Sequence, residues 1–297
     1  MKIAVIGLGR MGMAIAHRLS QHNHTVLGYD PNPAIQTQAK AEGVQPVDSL
    51  VNLASAANVF WLMVPAGQPV DDVLAALTPH LNPNAIVIDG GNSFFKDSVR
   101  RHGQLAAKQI QFLDCGTSGG LHGKATGFSL MIGGNRPAFE SIEPIFTAIA
   151  APDGCLYVGP AGSGHFVKMV HNGIEYGLLQ AYAEGFHLIK DGPYKDINLA
   201  DIAHVWNHGA IIRSWICQLA EEVLKKDQDL TGIQGSIGEN LTGRWTVDTA
   251  KECNVPLPTI QQALDVRAWS RQTGGNYATK LVAVLRNAFG GHAVSKK

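Results

Sequence analysis

From residue 1 to about 160, short apolar runs rich in Val and Ile alternate with longer stretches whose apolar residues recur at helical spacing. This alternation is the pattern of βαβ units around a parallel sheet. Strands are predicted at 2–6, 25–29, 58–64, 85–89, 111–114, 128–132 and 155–158. Several end in Gly, Pro or Asp, which places loops at the C-terminal ends of the strands, where open α/β sheets bind ligands. After Gly159-Pro160-Ala161-Gly162 the pattern changes. Residues 163–190 predict a single helix, roughly 42 Å long at about 1.5 Å per residue. Strand signals then nearly vanish. Helices are predicted for the remainder, with breaks at Asp191-Gly192-Pro193, around Thr231-Gly232, and at Pro256 and Pro258. The expected organisation is an α/β domain over 1–161 and an all-helical domain over 162–297, without a long linker, low-complexity tract or internal repeat.

Composition narrows this picture. A chain of 297 residues with 45% hydrophobic content can bury a full core. Lys plus Arg equal Asp plus Glu at 24 each, so no overall basic field draws in nucleic acid or an anionic membrane, and anion recognition has to be local. No segment offers the roughly 18 apolar residues of a membrane-spanning helix. The chain opens directly on the strand-like Lys2-Ile3-Ala4-Val5-Ile6, with no basic leader or cleavage site. A soluble cytoplasmic protein is expected. Cys115, Cys155, Cys217 and Cys253 are widely spaced without a C-x-x-C pair, so they read as reduced core residues, and no metal site is expected.

The first strand runs into Gly7-Leu8-Gly9-Arg10-Met11-Gly12, followed at once by a helical segment. In that context G-x-G-x-x-G predicts a dinucleotide site: Gly7 for the tight turn, Gly9 for approach to a pyrophosphate, Gly12 for close helix packing. The helix N-terminus then faces the phosphates. The domain is thus expected to be an α/β Rossmann-type N-terminal domain, joined to an all-α C-terminal domain. The second strand ends in Asp30, whose carboxylate suits a ribose 2′-hydroxyl and repels a 2′-phosphate. NAD is favoured over NADP, although Arg10 can assist a phosphate and Asp30 can cap the helix starting near Pro31. Val64, closing the strand at 58–64, is counted with Asn92 among the cofactor contacts.

Within 163–190, Lys168, His171, Asn172 and Glu175 fall at i, i+3, i+4 and i+7 and form one polar stripe. Their neighbours Phe166, Val167, Met169, Val170, Ile174, Leu178 and Leu179 are apolar, as expected of a largely buried helix. Gly173, Gly177, Ala181 and Gly185 form a second line of small residues, which implies a close approach by another helix or by a cofactor. On composition alone, Lys168 and Glu175 fit a solvated face equally well.

A longer match decides between these readings. Gly162-Ser163-Gly164-His165-Phe166-Val167-Lys168-Met169-Val170-His171-Asn172-Gly173-Ile174-Glu175-Tyr176 resembles the signature of the 6-phosphogluconate dehydrogenase family. Asp89-Gly90-Gly91-Asn92-Ser93 and Gly116-Thr117-Ser118-Gly119-Gly120 resemble its substrate loops. Gly243-Arg244-Trp245-Thr246 and Arg267 resemble its helical-domain elements, and Arg286-Asn287-Ala288-Phe289-Gly290-Gly291-His292 is similar to its C-terminal tail. The resemblance covers nearly the whole chain in family order. It implies oxidation of 6-phosphogluconate at its 3-hydroxyl, loss of carbon dioxide from the β-keto acid and release of ribulose 5-phosphate, chemistry of gluconate and pentose phosphate metabolism. It casts Lys168 as the general base, neutral through desolvation, and Glu175 as the acid that protonates the enediol carbon. It places Asn92, Ser118, Gly119, Gly120, His171 and Asn172 around the substrate carboxylate and hydroxyls. Tyr176, Thr242, Arg267 and Arg286 match the contacts at the phosphate end, and His292 of the tail is counted among the substrate contacts.

The chain departs from the family pattern twice. Asn240 stands where many members have a lysine, and the chain reaches the tail motif without the duplicated helical domain of the long form. In the long form the tail completes a neighbouring subunit's site, so Arg286 and His292 are expected to act across subunits in a homodimer or homotetramer. The rival readings are a non-decarboxylating β-hydroxyacid dehydrogenase resembling 3-hydroxyisobutyrate dehydrogenase, and a catalytically inactive NAD-binding regulator.

Overall fold

The computed structural model describes residues 1–239 and 241–296. They divide into two compact units, Met1–Met169 and from Val170 onward. The first unit contains β1 (Lys2–Ile6), α1 (Arg10–Gln21), β2 (Thr25–Tyr29), α2 (Pro33–Ala41), β3 (Gln45–Pro46), α3 (Leu50–Ala56), β4 (Val59–Leu62), α4 (Gln68–Leu77), β5 (Ile86–Asp89), α5 (Phe95–Ala106), β6 (Gln111–Ser118), α6 (Gly123–Thr126), β7 (Phe128–Gly134), α7 (Arg136–Ser141), α8 (Glu143–Ile149) and β8 (Ala150–Gly159). The division falls inside the next helix, α9 (Ser163–Asp191), rather than in the glycine-rich turn before it.

Among the described residues, eight strands form one sheet in the order β3-β2-β1-β4-β5-β6-β7-β8. All neighbours are parallel except β6 and β7, which are antiparallel. Strand alternation sends Ile3 and Val5 into a core with Ile15 and Leu19 of α1, while Ala4 and Ile6 join Leu53, Leu74 and Leu77 on the other face. Both faces are covered, as a mainly parallel sheet requires. The chain order reverses at β1, with β2 on one side and β4 on the other, which opens a crevice at the strands' C-terminal ends.

The predicted strands are present, with three differences and one addition. β3 is a two-residue edge strand, too short and polar for a periodicity signal. β4 ends at Leu62, so Val64 lies in the following loop. β6 continues past Asp114 to Ser118 through a glycine that read as loop, and β8 begins at Ala150 instead of 155.

The second unit is helical: the rest of α9, then α10 (Leu199–Asn207), α11 (Trp215–Lys226), α12 (Leu241–Glu252), α13 (Pro258–Thr273) and α14 (Tyr277–Gly290). Leu179, Ala183 and Phe186 of α9 form its core with Leu199, Ala203, Cys217, Leu219, Leu281 and Leu285. A capping box starts α14, with the Asn276 side chain accepting from the Thr279 amide and the Thr279 hydroxyl accepting from the Asn276 amide. The tail folds back on its own unit: the Gln234 amide donates to the Ser295 carbonyl at 2.9 Å, and Ile233 bridges Lys296.

Three expectations need correcting. On α9 only part of the apolar set is buried: Met169 and Leu179 are, whereas Phe166, Val167, Ile174 and Leu178 are exposed in the single chain. The helix carries a second apolar stripe on its outer side. Of the small-residue line, Gly173 and Gly177 face Thr246 and Thr259, whereas a methyl group on Gly185 would meet nothing within 4 Å among the described residues. The four cysteines are free, and Cys253, near the end of α12, is exposed rather than in the core. Among the described residues no helix is long and apolar enough to cross a membrane.

Candidate active site

The glycine-rich turn follows from packing. Gly7 adopts φ +88°, and a methyl group there would lie 2.8 Å from the Met63 carbonyl oxygen. One on Gly12 would lie 1.9 Å from the Gly7 carbonyl oxygen, whereas one on Gly9 would meet nothing within 4 Å. Two glycines therefore let strand and helix touch, and the third opens onto free space. Gly9 is also the N-cap of α1; it brings no capping side chain, and no acidic residue sits in the first turn. Such a helix start offers backbone N–H groups to an anion. Leu8 turns its side chain into the core and gives its amide to Asp30 Oδ2 at 2.9 Å, while Arg10 is exposed and Met11 and Val64 are half-buried. The Asn32 amide donates to Asp30 Oδ1 at 2.9 Å. Asp30, 8% exposed, does not cap α2; Asn32 does, through its side chain and the Ala34 amide. These features fit a dinucleotide pyrophosphate at the turn.

At the end of β5, Gly91 and Ser93 are buried and Asn92 between them is exposed. Next to this strand, β6 and the start of α9 are tied together. The Asp114 carboxylate accepts from the Gly162 amide at 2.7 Å and the His165 amide at 2.8 Å, capping α9 from a neighbouring strand. His165 Nδ1 meets Ser98 Oγ of α5 at 2.7 Å. Lys168, one turn along α9, is 6% exposed, which excludes a solvated lysine. A methyl group on Gly116 would lie 2.3 Å from its Cβ, so β6 passes against the lysine only because residue 116 has no side chain. Ser118, Gly119 and Gly120 follow, half-buried, at the end of the same strand.

In the second unit Asn172 is buried, and His171 and Glu175 are half-buried. His171 Nδ1 lies 3.2 Å from Asn172 Oδ1. The Tyr176 ring rests on Gly243, where a methyl group would lie 2.2 Å from it. Thr246 of the same motif packs on Gly173. Thr242, Arg267 and Arg286 are all buried. The Arg267 guanidinium sits 3.3 Å from the Tyr176 ring centroid, and its two terminal nitrogens are buried with no hydrogen-bond partner among the described residues. Burial, helped by the nearby Arg286 charge and opposed by Tyr176 and Glu175, pulls its pKa down to about 10. Burial also lowers the Arg286 pKa. A cavity of about 120 Å³ opens beside Arg267 and Tyr176 and is lined also by Arg244, Arg271, Glu239 and Lys251. Arg286 donates to the Gly238 carbonyl at 3.0 Å. The His292 ring packs on Gly290, and its carbonyl accepts from Asn287 Nδ2 at 2.8 Å. Arg286 thus lies near Arg267 and Tyr176 of its own chain. Asn240 lies outside the described residues.

Sequence reasoning assigned no role to Asp71, Arg101, Asp114 or His165, all of which anchor site segments. Arg101 carried one signal: it occupies a position on the buried line Ser98, Arg101, Leu105 of α5, where an apolar residue is the norm.

Residues 2–159 match the NAD binding domain of 6-phosphogluconate dehydrogenase, and residues 164–296 match the 6-phosphogluconate dehydrogenase C-terminal domain. The chain is 44% identical over 302 residues to an NAD(+)-dependent, decarboxylating 6-phosphogluconate dehydrogenase of Haloferax volcanii, covering 100% of this chain and 99% of that one. The solved 6-phosphogluconate dehydrogenase of Plasmodium falciparum superposes with a TM-score of 0.84 at 31% identity, over 92% of this chain and 62% of that one. A 3-hydroxyisobutyrate dehydrogenase of Salmonella typhimurium shares the fold, with a TM-score of 0.78 at 22% identity over 96% and 99% of the two chains. With both domains matched and a relative aligned from end to end, the chain belongs to the 6-phosphogluconate dehydrogenase family.

Proposed function

We propose that the protein oxidises 6-phosphogluconate at its 3-hydroxyl and decarboxylates the product to ribulose 5-phosphate, with NAD as hydride acceptor. The observation that carries this reading is the pair of buried arginines at Tyr176. Arg267 holds, on the Tyr176 ring, a desolvated cation whose terminal nitrogens meet no hydrogen-bond geometry among the described residues, an arrangement that favours an incoming dianion. A phosphate supplies oxygens for a planar fork, and Tyr176 borders the same place. The glycine-rich turn and Asp30 would hold NAD, which supplies the nicotinamide carbon that accepts hydride.

Lys168 takes the proton of the 3-hydroxyl as oxidation proceeds. Its burial against Gly116 supports this role, because it keeps the amine out of bulk water. Asn92, Ser118, Gly119, Gly120, His171 and Asn172 hold the substrate carboxylate and hydroxyls. Once the 3-keto group is formed it withdraws electrons from the bond to the carboxylate, and carbon dioxide leaves. Glu175 then delivers a proton to the enediol carbon. Asp30 favours NAD over NADP, since its carboxylate would repel a 2′-phosphate. The exposed stripe of Ile174, Leu178 and Leu188 on α9 supports a homodimer or homotetramer, as an apolar helix face left in water marks an interface. A cytoplasmic location fits this metabolite chemistry.

The test is nicotinamide reduction followed by absorbance with 6-phosphogluconate, NAD and NADP compared, coupled to detection of carbon dioxide. One carbon dioxide per NADH is expected. Reduction without carbon dioxide would favour a non-decarboxylating β-hydroxyacid dehydrogenase. NAD binding without reduction across a panel of sugar acids would favour a regulator.

A further inference from the structure

We propose that Arg101 is a positioning residue that locks together the loops after β4 and β5, and thereby sets Asn92 and Val64 against the nicotinamide half of the cofactor. The inference rests on the proposed dehydrogenase reading. Arg101 lies in α5, and its side chain is fully buried. Nε donates to Asp71 Oδ1 at 2.8 Å, and Nη2 donates to Asp71 Oδ2 at 3.2 Å and to the Gly67 carbonyl at 3.0 Å. Nη1 donates to Ser93 Oγ at 3.3 Å and Asp89 Oδ2 at 3.4 Å. These bonds use all five N–H donors of the guanidinium.

The partners fall into two groups. Asp71 and Gly67 belong to the start of α4 and the loop before it, the loop that carries Val64. Asp89 and Ser93 bracket the loop that carries Asn92. The Asp89 carboxylate accepts from the Gly91 amide at 3.1 Å and from Ser93 Oγ at 2.7 Å, so both neighbours of Asn92 are held while its own side chain is presented outward. One planar cation therefore joins two loops at the C-terminal ends of adjacent strands, on the crevice side of the sheet. Were α5 only to be stuck down, an apolar side chain at 101 would do so without desolvating a charge. The five bonds instead specify where two backbone segments sit relative to each other. Lysine cannot reproduce this, because a single ammonium reaches one group of partners at a time. Arg100, exposed, shares Asp71 with Arg101 but among the described residues bonds neither Gly67 nor Asp89 and Ser93.

The test compares Arg101→Lys and Ser93→Ala with an Arg100→Gln control in the full-length protein. Amide hydrogen exchange is followed without ligand over 63–70 and 87–96, and turnover is measured with 6-phosphogluconate bearing hydrogen or deuterium at C3. Arg101→Lys should speed exchange by about tenfold or more in both segments and leave β1 and β2 unchanged. Ser93→Ala should loosen 87–96 alone. In both variants kcat should fall by roughly 10- to 100-fold, with KM for 6-phosphogluconate within about threefold and a larger isotope effect, because misplacement slows hydride transfer itself. Arg100→Gln should match the wild type. Wild-type exchange in both segments overturns the proposal. So does lost turnover with an unchanged isotope effect, which is what a merely unstable protein gives. Should Arg101→Lys fail to fold, Ser93→Ala decides alone. A wild type inactive on 6-phosphogluconate refutes the substrate assignment, and exchange then decides the loop linkage by itself.

Discussion

Replacing Arg267 by methionine should make the ligand-free protein more stable and its reaction worse. Burial lowers the Arg267 pKa from 12.5 to about 10, which corresponds to roughly 3 kcal/mol spent on keeping the cation charged inside the protein. The Tyr176 ring beneath it returns about 1–2 kcal/mol. Methionine fills a similar volume without either effect, so a net gain of about 1–2 kcal/mol is expected, seen as a rise of roughly 2–8 °C in the melting temperature. The sign of the pH dependence is definite. A base whose folded pKa is depressed destabilises the fold fully below that folded value, and the penalty fades only as pH climbs from about 10 toward 12.5. The gain should therefore be constant from about pH 6 to 9. Losing a buried partner for a phosphate should cost about 2–4 kcal/mol of binding, or roughly 30- to 1,000-fold in KM for 6-phosphogluconate. Calorimetry of the ligand-free variant and steady-state kinetics check both halves. A variant that melts lower than wild type and keeps its KM would refute the reasoning.

Lys168→Met should lower turnover by about 10²–10⁴ and leave NAD affinity intact, as measured by kinetics and cofactor titration; unchanged turnover removes Lys168 from the chemistry. Asp30→Ala should shift the ratio of kcat/KM for NAD and NADP toward NADP, and a constant ratio would reduce Asp30 to a brace for the Leu8 and Asn32 amides. Glu175→Gln should slow protonation more than oxidation, so single-turnover experiments should show keto or enediol species accumulating; equal slowing of both steps would make Glu175 a positioning group. If Arg286 serves a neighbouring subunit, mixed Arg286→Ala and Lys168→Met subunits should form hybrids that recover activity, and hybrids without recovered activity would confine Arg286 to the site of its own chain.

The elements were legible where one local pattern decided them. The continuously buried apolar run of β1 and the 29-residue α9 both follow from residues close in sequence. The exposed half of the α9 apolar set was not, because apolar periodicity marks a face that avoids water without saying what covers it. β6 was cut short for a related reason: Gly116 reads as a loop residue until Lys168 is seen against it. Helical spacing drew the polar stripe and motif resemblance gave it and the arginines their roles, while their supports were missed. Asp114 caps a helix 48 residues downstream, and Asp71 and Arg101 lie 30 residues apart, contacts to which no short window is sensitive.

The bare start of α1 has a consequence for how the protein persists. A helix that begins on a glycine and carries no carboxylate in its first turn borrows cohesion from whatever anion seats itself there. Saturation at about 100 times the dissociation constant adds roughly 2.7 kcal/mol to the folded state. Proteolytic lifetime should then rise and fall with the supply of nucleotide, so that scarcity of the coenzyme thins out the very catalyst that consumes it.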